Sequence, residues 1–329
     1  MKVVILAVLS LVSLAFGAPR FQLGEEWELW KSEHGKSYQS QREELERHVI
    51  WQANRKYVEA HNQNVHILGF TLKMNHFGDM SDSEFSDMYL TKMSNRNFTS
   101  AKVFDSSSYE GDLPESIDWR NKGAVSDIKN QGQCGASYAF SAMGALEGAS
   151  ALAHGRLTTL SEQNIIDCSV SYGNHGCNGG NMYNAFQYVV ANGGVDTQSS
   201  YPFQGRQSSC SYSKNNCGGT MSSVIRLPSG DETSLQQAVA YVGPVSVAVD
   251  ADNTAFRYYY QGVYSSSRCS SSDVNHGMVV TGYGSTGGSD FWLVKNSWGT
   301  NWGMDGYILM TRNKYNQCGI ATDASYPTL

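Results

Sequence analysis

The sequence predicts an α+β protein whose helices come first and whose strands come second. Three stretches carry that expectation. Between Glu25 and Asn62, apolar Trp27, Trp30, Val49, Tyr57 and Val58 recur at near-helical spacing among Glu, Arg, Lys and Gln. The stretch SYAFSAMGALEGASALAH, from Ser137, is rich in alanine, free of proline and followed by Gly155, as expected of one helix. Beyond it, the glycine-bounded apolar runs GMVVTGYG, FWLVKNSWG and GYILMTR read as strands.

The chain has 329 residues, 40% hydrophobic and only 16% charged, a composition that suits packed units rather than disorder. A net charge of -6 with no long basic run argues against nucleic acid as a partner, because such affinity comes mainly from Lys and Arg neutralising phosphates. The first element, MKVVILAVLSLVSLAFGA, places Lys2 before an apolar run that ends in small residues, so residues 1–17 are expected to be a secretory signal peptide. It is too short for a comfortable membrane span, and no later segment is long and apolar enough to supply one. Secretion permits disulfides, and seven cysteines are present, an odd number. No close Cys-x-x-Cys or Cys-x-x-His pair occurs, so neither a metal nor a cofactor is expected.

Next in order come two helices within Glu25–Asn62. Residues 92–112 then turn polar and Ser-rich through SNRNFTS and DSSSYEGD, the kind of exposed segment where proteolysis concentrates. Asn97-Phe98-Thr99 within it is a glycosylation acceptor sequence. After Leu113 the long helix at Ser137 follows. Later, Val245, Val247 and Val249 alternate with smaller or polar neighbours, the pattern of a strand.

Chemistry concentrates around QGQCGASYAF. A helix beginning at Ser137 aims backbone N–H groups and a partial positive charge at developing negative charge, and Gln131 offers a second donor. That arrangement serves any reaction that passes through an oxyanion. A nucleophile, a base and a side chain that orients the base complete it.

Cys134-Gly135-Ala136-Ser137-Tyr138 resembles the C-G-[SA]-C-[WY] signature of the papain-like cysteine peptidases, cathepsin L group, at every position except the nucleophile. Upstream, Glu43, Arg47, Trp51, Asn54, Val58 and Asn62 follow the spacing of that family's inhibitory propeptide helix, and MNHFGDM matches a second propeptide motif. The resemblance implies a papain-like two-lobed fold, with a helical left lobe and a β-barrel-like right lobe, preceded by a helical inhibitory propeptide. Residues 18–111 would be the propeptide and 112–329 the mature domain, with the left lobe mainly 112–225 and the right lobe mainly 226–329.

Carried over by motif, the resemblance makes Ser137 the nucleophile, His276 in VNHGMVV the base and Asn296 in VKNSWG the group that orients its ring. Gln131 and the Ser137 N–H become the oxyanion hole, and Trp298 shields the His–Asn pair. Met182 would line the main specificity pocket, with Asn181 where leucine is usual and Asp323 where a small residue is usual. Both departures make that pocket more polar and disfavour apolar peptide side chains. The implied disulfides are Cys134–Cys177, Cys168–Cys210 and Cys269–Cys318, with Cys217 left unpaired.

The serine changes the chemistry. A cysteine thiol, with a free pKa of about 8.5, can give its proton to histidine at rest, whereas a serine hydroxyl cannot. Ser137 acts only if His276 is neutral and takes the proton during attack. Asn275 fits, because relatives commonly carry aspartate there and losing a carboxylate removes a stabiliser of imidazolium.

Three readings compete: an inactive homologue, a Ser-based peptidase or esterase, and the silicatein subfamily of the alpha type. Silicateins are sponge proteins that are similar to cathepsin L, carry serine at the nucleophile and build silica. GASYAFSAMGALEGA resembles them around the serine. So does the hydroxyl-rich YSSSRCSSSDVNHG, in which Ser265, Ser266, Ser267, Ser270, Ser271 and Ser272 lead to His276. This last resemblance implies silicic acid or a silicon alkoxide as substrate and self-assembly with like chains into filaments. It also implies a secretory route to the extracellular space or to a silica-depositing vesicle and the axial filament of spicules.

The exposed linker predicts cleavage near Asp112, just before LPESIDWR. Mass spectrometry of natural material should find a mature N-terminus there. Finding residues 18–111 still attached would overturn the expectation.

Overall fold

The computed structural model describes residues 18–91, 93, 102–109 and 111–329. The expected signal peptide and the Asn97 acceptor sequence lie outside the described residues.

Both expected propeptide helices form, over Ala18–Glu33 and Gln41–Asn62. The second starts where Ser40 accepts a hydrogen bond from the Glu43 N–H, an N-cap. Trp27, Trp30 and Trp51 pack into a small core between the helices. The Asn54 side chain donates to Gly78 O and Met80 O, both at 2.9 Å, which ties the long helix to the MNHFGDM segment. A third helix, Asp82–Tyr89, opens with a capping box formed by Ser81 and Glu84, and Arg47 pairs with Glu84 at 2.8 Å.

That third helix docks the propeptide on the mature domain. Phe77 and Phe85 meet Trp298 edge-on, with ring centroids 5.4 and 5.3 Å away. Arg257, 1% exposed, reaches back to Ser81 O at 3.1 Å and Asp82 at 2.6 Å.

The main sheet runs, neighbour to neighbour, through Phe70–Leu72, Tyr259–Tyr264, Tyr307–Thr311, Ser289–Lys295, His276–Thr286, Val245–Val249, Ala324–Thr328, Ser223–Arg226 and Lys102–Val103. Its first strand belongs to the propeptide. The long helix spans Ser137–His154 as expected and stops at Gly155, which takes a left-handed conformation that glycine adopts without a Cβ penalty. Helices Glu162–Cys168 and Met182–Asn192 join it in the left-lobe core with Leu146, Ile165, Phe186 and Val189.

Val245–Val249 is buried at all five residues, so its alternation is one of size rather than polarity. Val245, Val247 and Val249 face the right-lobe core, whereas Ser246 and Ala248 face the long helix. Ser246 meets Ser141 of that helix at 2.6 Å, hydroxyl to hydroxyl. Small residues on this side let the helix lie close to the sheet.

The expected free linker is only partly so. Lys102–Val103 pairs with Ser223–Arg226, Phe104 is buried, and Tyr109 stacks on Phe104 and on Tyr241. Aromatic burial, invisible in a polar composition, holds residues 102–109 against the mature domain. Gly111 and Asp112 beyond them are exposed.

Behind the long helix lies a buried charge group. Lys129 bonds Glu147 at 2.7 Å and Glu162 at 2.5 Å, and both carboxylates are solvent-inaccessible. Lys129→Met would leave two buried carboxylates facing each other without their cation, a loss of about 3–5 kcal/mol. Denaturant titration against the parent protein should show that loss, and an unchanged midpoint would contradict the account.

Candidate active site

Ser137 is the first residue of the long helix, and its preceding Ala136 offers no side-chain cap, so the Ser137 and Tyr138 N–H groups stay available. His276 is the first residue of the strand His276–Thr286, paired opposite Val249. Asn296 follows directly after the strand Ser289–Lys295. The structure therefore brings Ser137, His276 and Asn296 together from the helix and two neighbouring strands.

The His276 Nε2 is 2.7 Å from Asn296 Oδ1. That oxygen also accepts from the Ser297 N–H at 2.7 Å, which fixes the orientation of the amide. Nε2 therefore carries the proton, and Nδ1 is the basic atom of the neutral ring. Nδ1 is buried and has no protein partner. Trp298 covers the imidazole, ring centroids 4.5 Å apart. Burial pushes the His276 pKa down to about 4, against the opposing pull of the Asn296 bond.

Ser137 Oγ does not bond His276 in this propeptide-bound state. It accepts instead from the Gly277 N–H at 3.0 Å. Gly277 must be glycine: a Cβ there would come within 2.8 Å of Ser137 O. Gln131, fully buried, has Oε1 held by the Ser297 hydroxyl at 2.6 Å, while Nε2 donates to Cys134 O at 3.0 Å. An amide nitrogen carries two hydrogens, so one remains for an oxyanion.

The propeptide runs through the cleft. Thr91 N donates to Asn275 O at 2.9 Å, and Met93 N to Val274 O at 3.4 Å. Thr91 rests on Gly135 and Gly179, where an added Cβ would lie 2.7 and 2.8 Å from it. Met93 joins the left-lobe core beside Met182, Met221 and Val274.

Two of the expected site residues have partners that the sequence did not show. Asp323 accepts from Asn181 Nδ2 at 2.7 Å and from Arg226 at 3.4 Å. Asn181 in turn caps the Met182–Asn192 helix by accepting from Tyr183 N. Asn275 is the other, its amide donating to Asp250 Oδ1 at 2.6 Å.

Of the serine-rich loop, Ser266 and Ser270 are taken up by turns, accepting from Arg268 N and from Ser272 N and Asp273 N. Ser267, Ser271 and Ser272 are exposed, and Ser265 is half-buried. Disulfides join Cys134 to Cys177, Cys168 to Cys210 and Cys269 to Cys318, and Cys217 is free and half-buried. Sequence reasoning missed Gly277, Ser297 and Asp250. Gly277 and Ser297 stand inside the quoted motifs, but nothing in their letters marks what they touch.

Among the described residues no three His, Cys, Asp or Glu side chains gather as a metal site, and no helix is long and apolar enough to cross a membrane.

The depressed His276 pKa has a definite sign. The unfolded chain, with histidine near about 6.5, binds the proton that the folded site refuses. Stability from this group is therefore present above that value and lost as pH falls toward 4. NMR titration of the intact chain should place the imidazole midpoint near 4, and removing the propeptide should raise it by rehydrating the ring. An unshifted midpoint in the intact chain would sink this account.

The papain family cysteine protease model matches residues 113–328, and the cathepsin propeptide inhibitor domain matches residues 27–85. The chain is 46% identical to a silicatein from Petrosia ficiformis, over 97% of this chain and all of that one. It is 45% identical to cathepsin L2 of Homo sapiens, over 98% of this chain and 99% of that one. Among solved structures, digestive procathepsin L 3 of Tenebrio molitor larval midgut superposes with a TM-score of 0.87 at 44% identity, covering 93% of this chain and 99% of that one.

Proposed function

The chain belongs to the papain family of cysteine proteases, and from that premise we propose that its serine site hydrolyses silicon alkoxides and condenses silanols, building silica. The observation that carries the reading is the neutral, buried His276 beside a serine nucleophile. A thiolate–imidazolium pair needs a charged ring, whereas a serine mechanism needs a neutral one. Burial supplies a neutral ring, and the Asn296 bond, although it pulls the pKa the other way, holds Nε2–H and leaves the basic Nδ1 unengaged. Similarity to a silicatein supports silicon as the element attacked.

Silicon expands readily to five-coordination, so a moderately activated hydroxyl suffices where a planar amide would resist. His276 Nδ1 takes the Ser137 proton as Oγ bonds to silicon. Gln131 Nε2 and the Ser137 N–H hold the negative oxygen. The silicon–alkoxide bond breaks, and His276 returns the proton to the departing alcohol. A silanol then attacks silicon, giving its proton to Nδ1. The silicon–Oγ bond breaks, Ser137 recovers the proton, and Si–O–Si remains. With water in place of the silanol the product is Si–OH. For free silicic acid, His276 can instead deprotonate a bound silanol without a covalent serine intermediate.

The same reading takes silicic acid or silicon alkoxides as partners, filaments of like chains as the assembly, and a secretory route to silica-depositing vesicles or the extracellular axial filament. Three disulfides fit an oxidising compartment. Cleavage near Asp112 releases the mature domain, 112–329, from the propeptide, 18–111, and clears Thr91 and Met93 from the cleft.

Mature protein should hydrolyse a silicon alkoxide, and Ser137→Ala or His276→Ala should each remove most of that activity, a loss of about 100-fold or more. Ser137→Cys should gain modest peptidase activity. Equal silica yield from the Ser137→Ala/His276→Ala variant would reduce the protein to a passive hydroxylated surface. Vigorous peptide cleavage by the parent without silicon chemistry would favour a Ser-based peptidase.

A further inference from the structure

The Asp250 carboxylate takes no part in the proposed cycle, yet it is 8% exposed and both its oxygens are engaged. It follows Val249, the residue paired opposite His276. Its Oδ1 accepts from Asn275 Nδ2 at 2.6 Å and from Asp252 N at 3.1 Å, and its Oδ2 accepts from Ser270 N at 2.7 Å. Asn275 is gripped from the other side as well: its Oδ1 accepts from Ala251 N at 2.8 Å, and its N–H donates to Val249 O at 2.9 Å. Asp250 N donates to Cys318 O at 2.8 Å, and Cys318 is bonded to Cys269 of the serine-rich loop.

We propose that Asp250 is a positioning residue for the His276 base, its carboxylate clamping Asn275 and thereby setting where His276 leaves the serine-rich loop to face Ser137. The inference rests on the reading of Ser137 and His276 as nucleophile and base.

Donor and acceptor logic makes the clamp specific. The N–H groups of Ala251, Asp252 and Ser270 can only donate. Asn275 must therefore turn its oxygen to Ala251 and its NH2 to residue 250, which then has to accept from three donors. Only a carboxylate does so. With Asp250→Asn, the new amide turns its NH2 either on the Ser270 N–H or on the Asn275 NH2. Rotating Asn275 merely moves the conflict to Ala251 N–H. One donor faces another in every arrangement, and a buried polar group left unpaired costs more than the bond it lost. Asn275→Asp places two carboxylates at hydrogen-bond distance, which is unfavourable for a different reason. Exchanging both, Asp250→Asn with Asn275→Asp, lets the amide at 250 donate to the carboxylate at 275. Its oxygen still accepts from Ser270, and the bond lost is the longer one from the N–H of Asp252, an exposed residue whose N–H turns to water instead.

The test uses a Ser137→Cys background, produced as the full chain and processed, with the rate of alkylation by iodoacetamide as the readout. Alkylation reports how well His276 draws the proton from the nucleophile at 137, whatever the natural substrate. Each single exchange should slow alkylation about tenfold, and the double exchange should recover it to within about threefold of the parent. Thermal midpoints measured alongside should not follow that rise and fall, since a merely structural role would move rate and midpoint together. An Asp250→Asn variant alkylated at the parental rate, a double exchange whose loss is the sum of the two singles, or rates that track the midpoints would each overturn the proposal. Failure of the parent to hydrolyse silicon alkoxides would remove the proposed function and leave this test standing.

Discussion

The site depends on how closely the strand beginning at His276 approaches the helix beginning at Ser137. Gly277 has no room for a Cβ against Ser137, and at Gly144, about two turns further along the helix, an added Cβ would meet the Val279 side chain at 2.9 Å. Ser246 and Ala248 keep the next strand equally slim on the side facing the helix. Because small residues leave no slack between them, Ser137 and His276 belong to elements that cannot slide past each other. Cores packed to crystal-like density transmit a displacement rather than absorb it. A larger residue at any of these four positions would part helix and strand, and with them the two reacting groups.

Close approach also removes water, and that decides the protonation state. His276 is fully buried and covered by Trp298, so its charged form is disfavoured before any carboxylate is considered. The single polar contact of the ring is to Asn296, which is neutral and holds Nε2–H without stabilising a positive charge as a carboxylate would. A cysteine nucleophile would have to charge this ring in order to rest as a thiolate. A serine rests as the hydroxyl, so the ring can stay neutral at rest, take the proton only during attack and return it to the leaving group.

The sequence announced the helix start, its glycine stop, the strands and the residues of the Ser–His–Asn group, since each is written in local pattern or in a short motif. What it hid were pairings across long separations. Asp323 finds Arg226 from 97 positions away, and Asp250 finds Asn275 from 25. Neither contact has a spacing to read, because it exists only once the strands are in register. The linker hid its structure for another reason. Phe104 and Tyr109 are two aromatic residues in a serine-rich run, too few to shift its composition but enough to bury one side of it.

These hidden pairings also change what the pocket can select. Asn181 and Asp323 looked like polar intrusions that would repel apolar groups. Held together at 2.7 Å, with Asp323 answered by Arg226, they form a closed set instead, since the carboxylate accepts from both partners and no charge points into the cleft unanswered. A cationic side chain therefore gains little by reaching the floor, because it would have to displace an arginine already there, and an apolar one meets no naked carboxylate. Meanwhile Met93 belongs to the same apolar cluster as Met182, Met221 and Val274. The pocket is thus lined for shape rather than for charge. Under the proposed function, discrimination between substrates falls on the centre where Ser137, His276 and Gln131 converge.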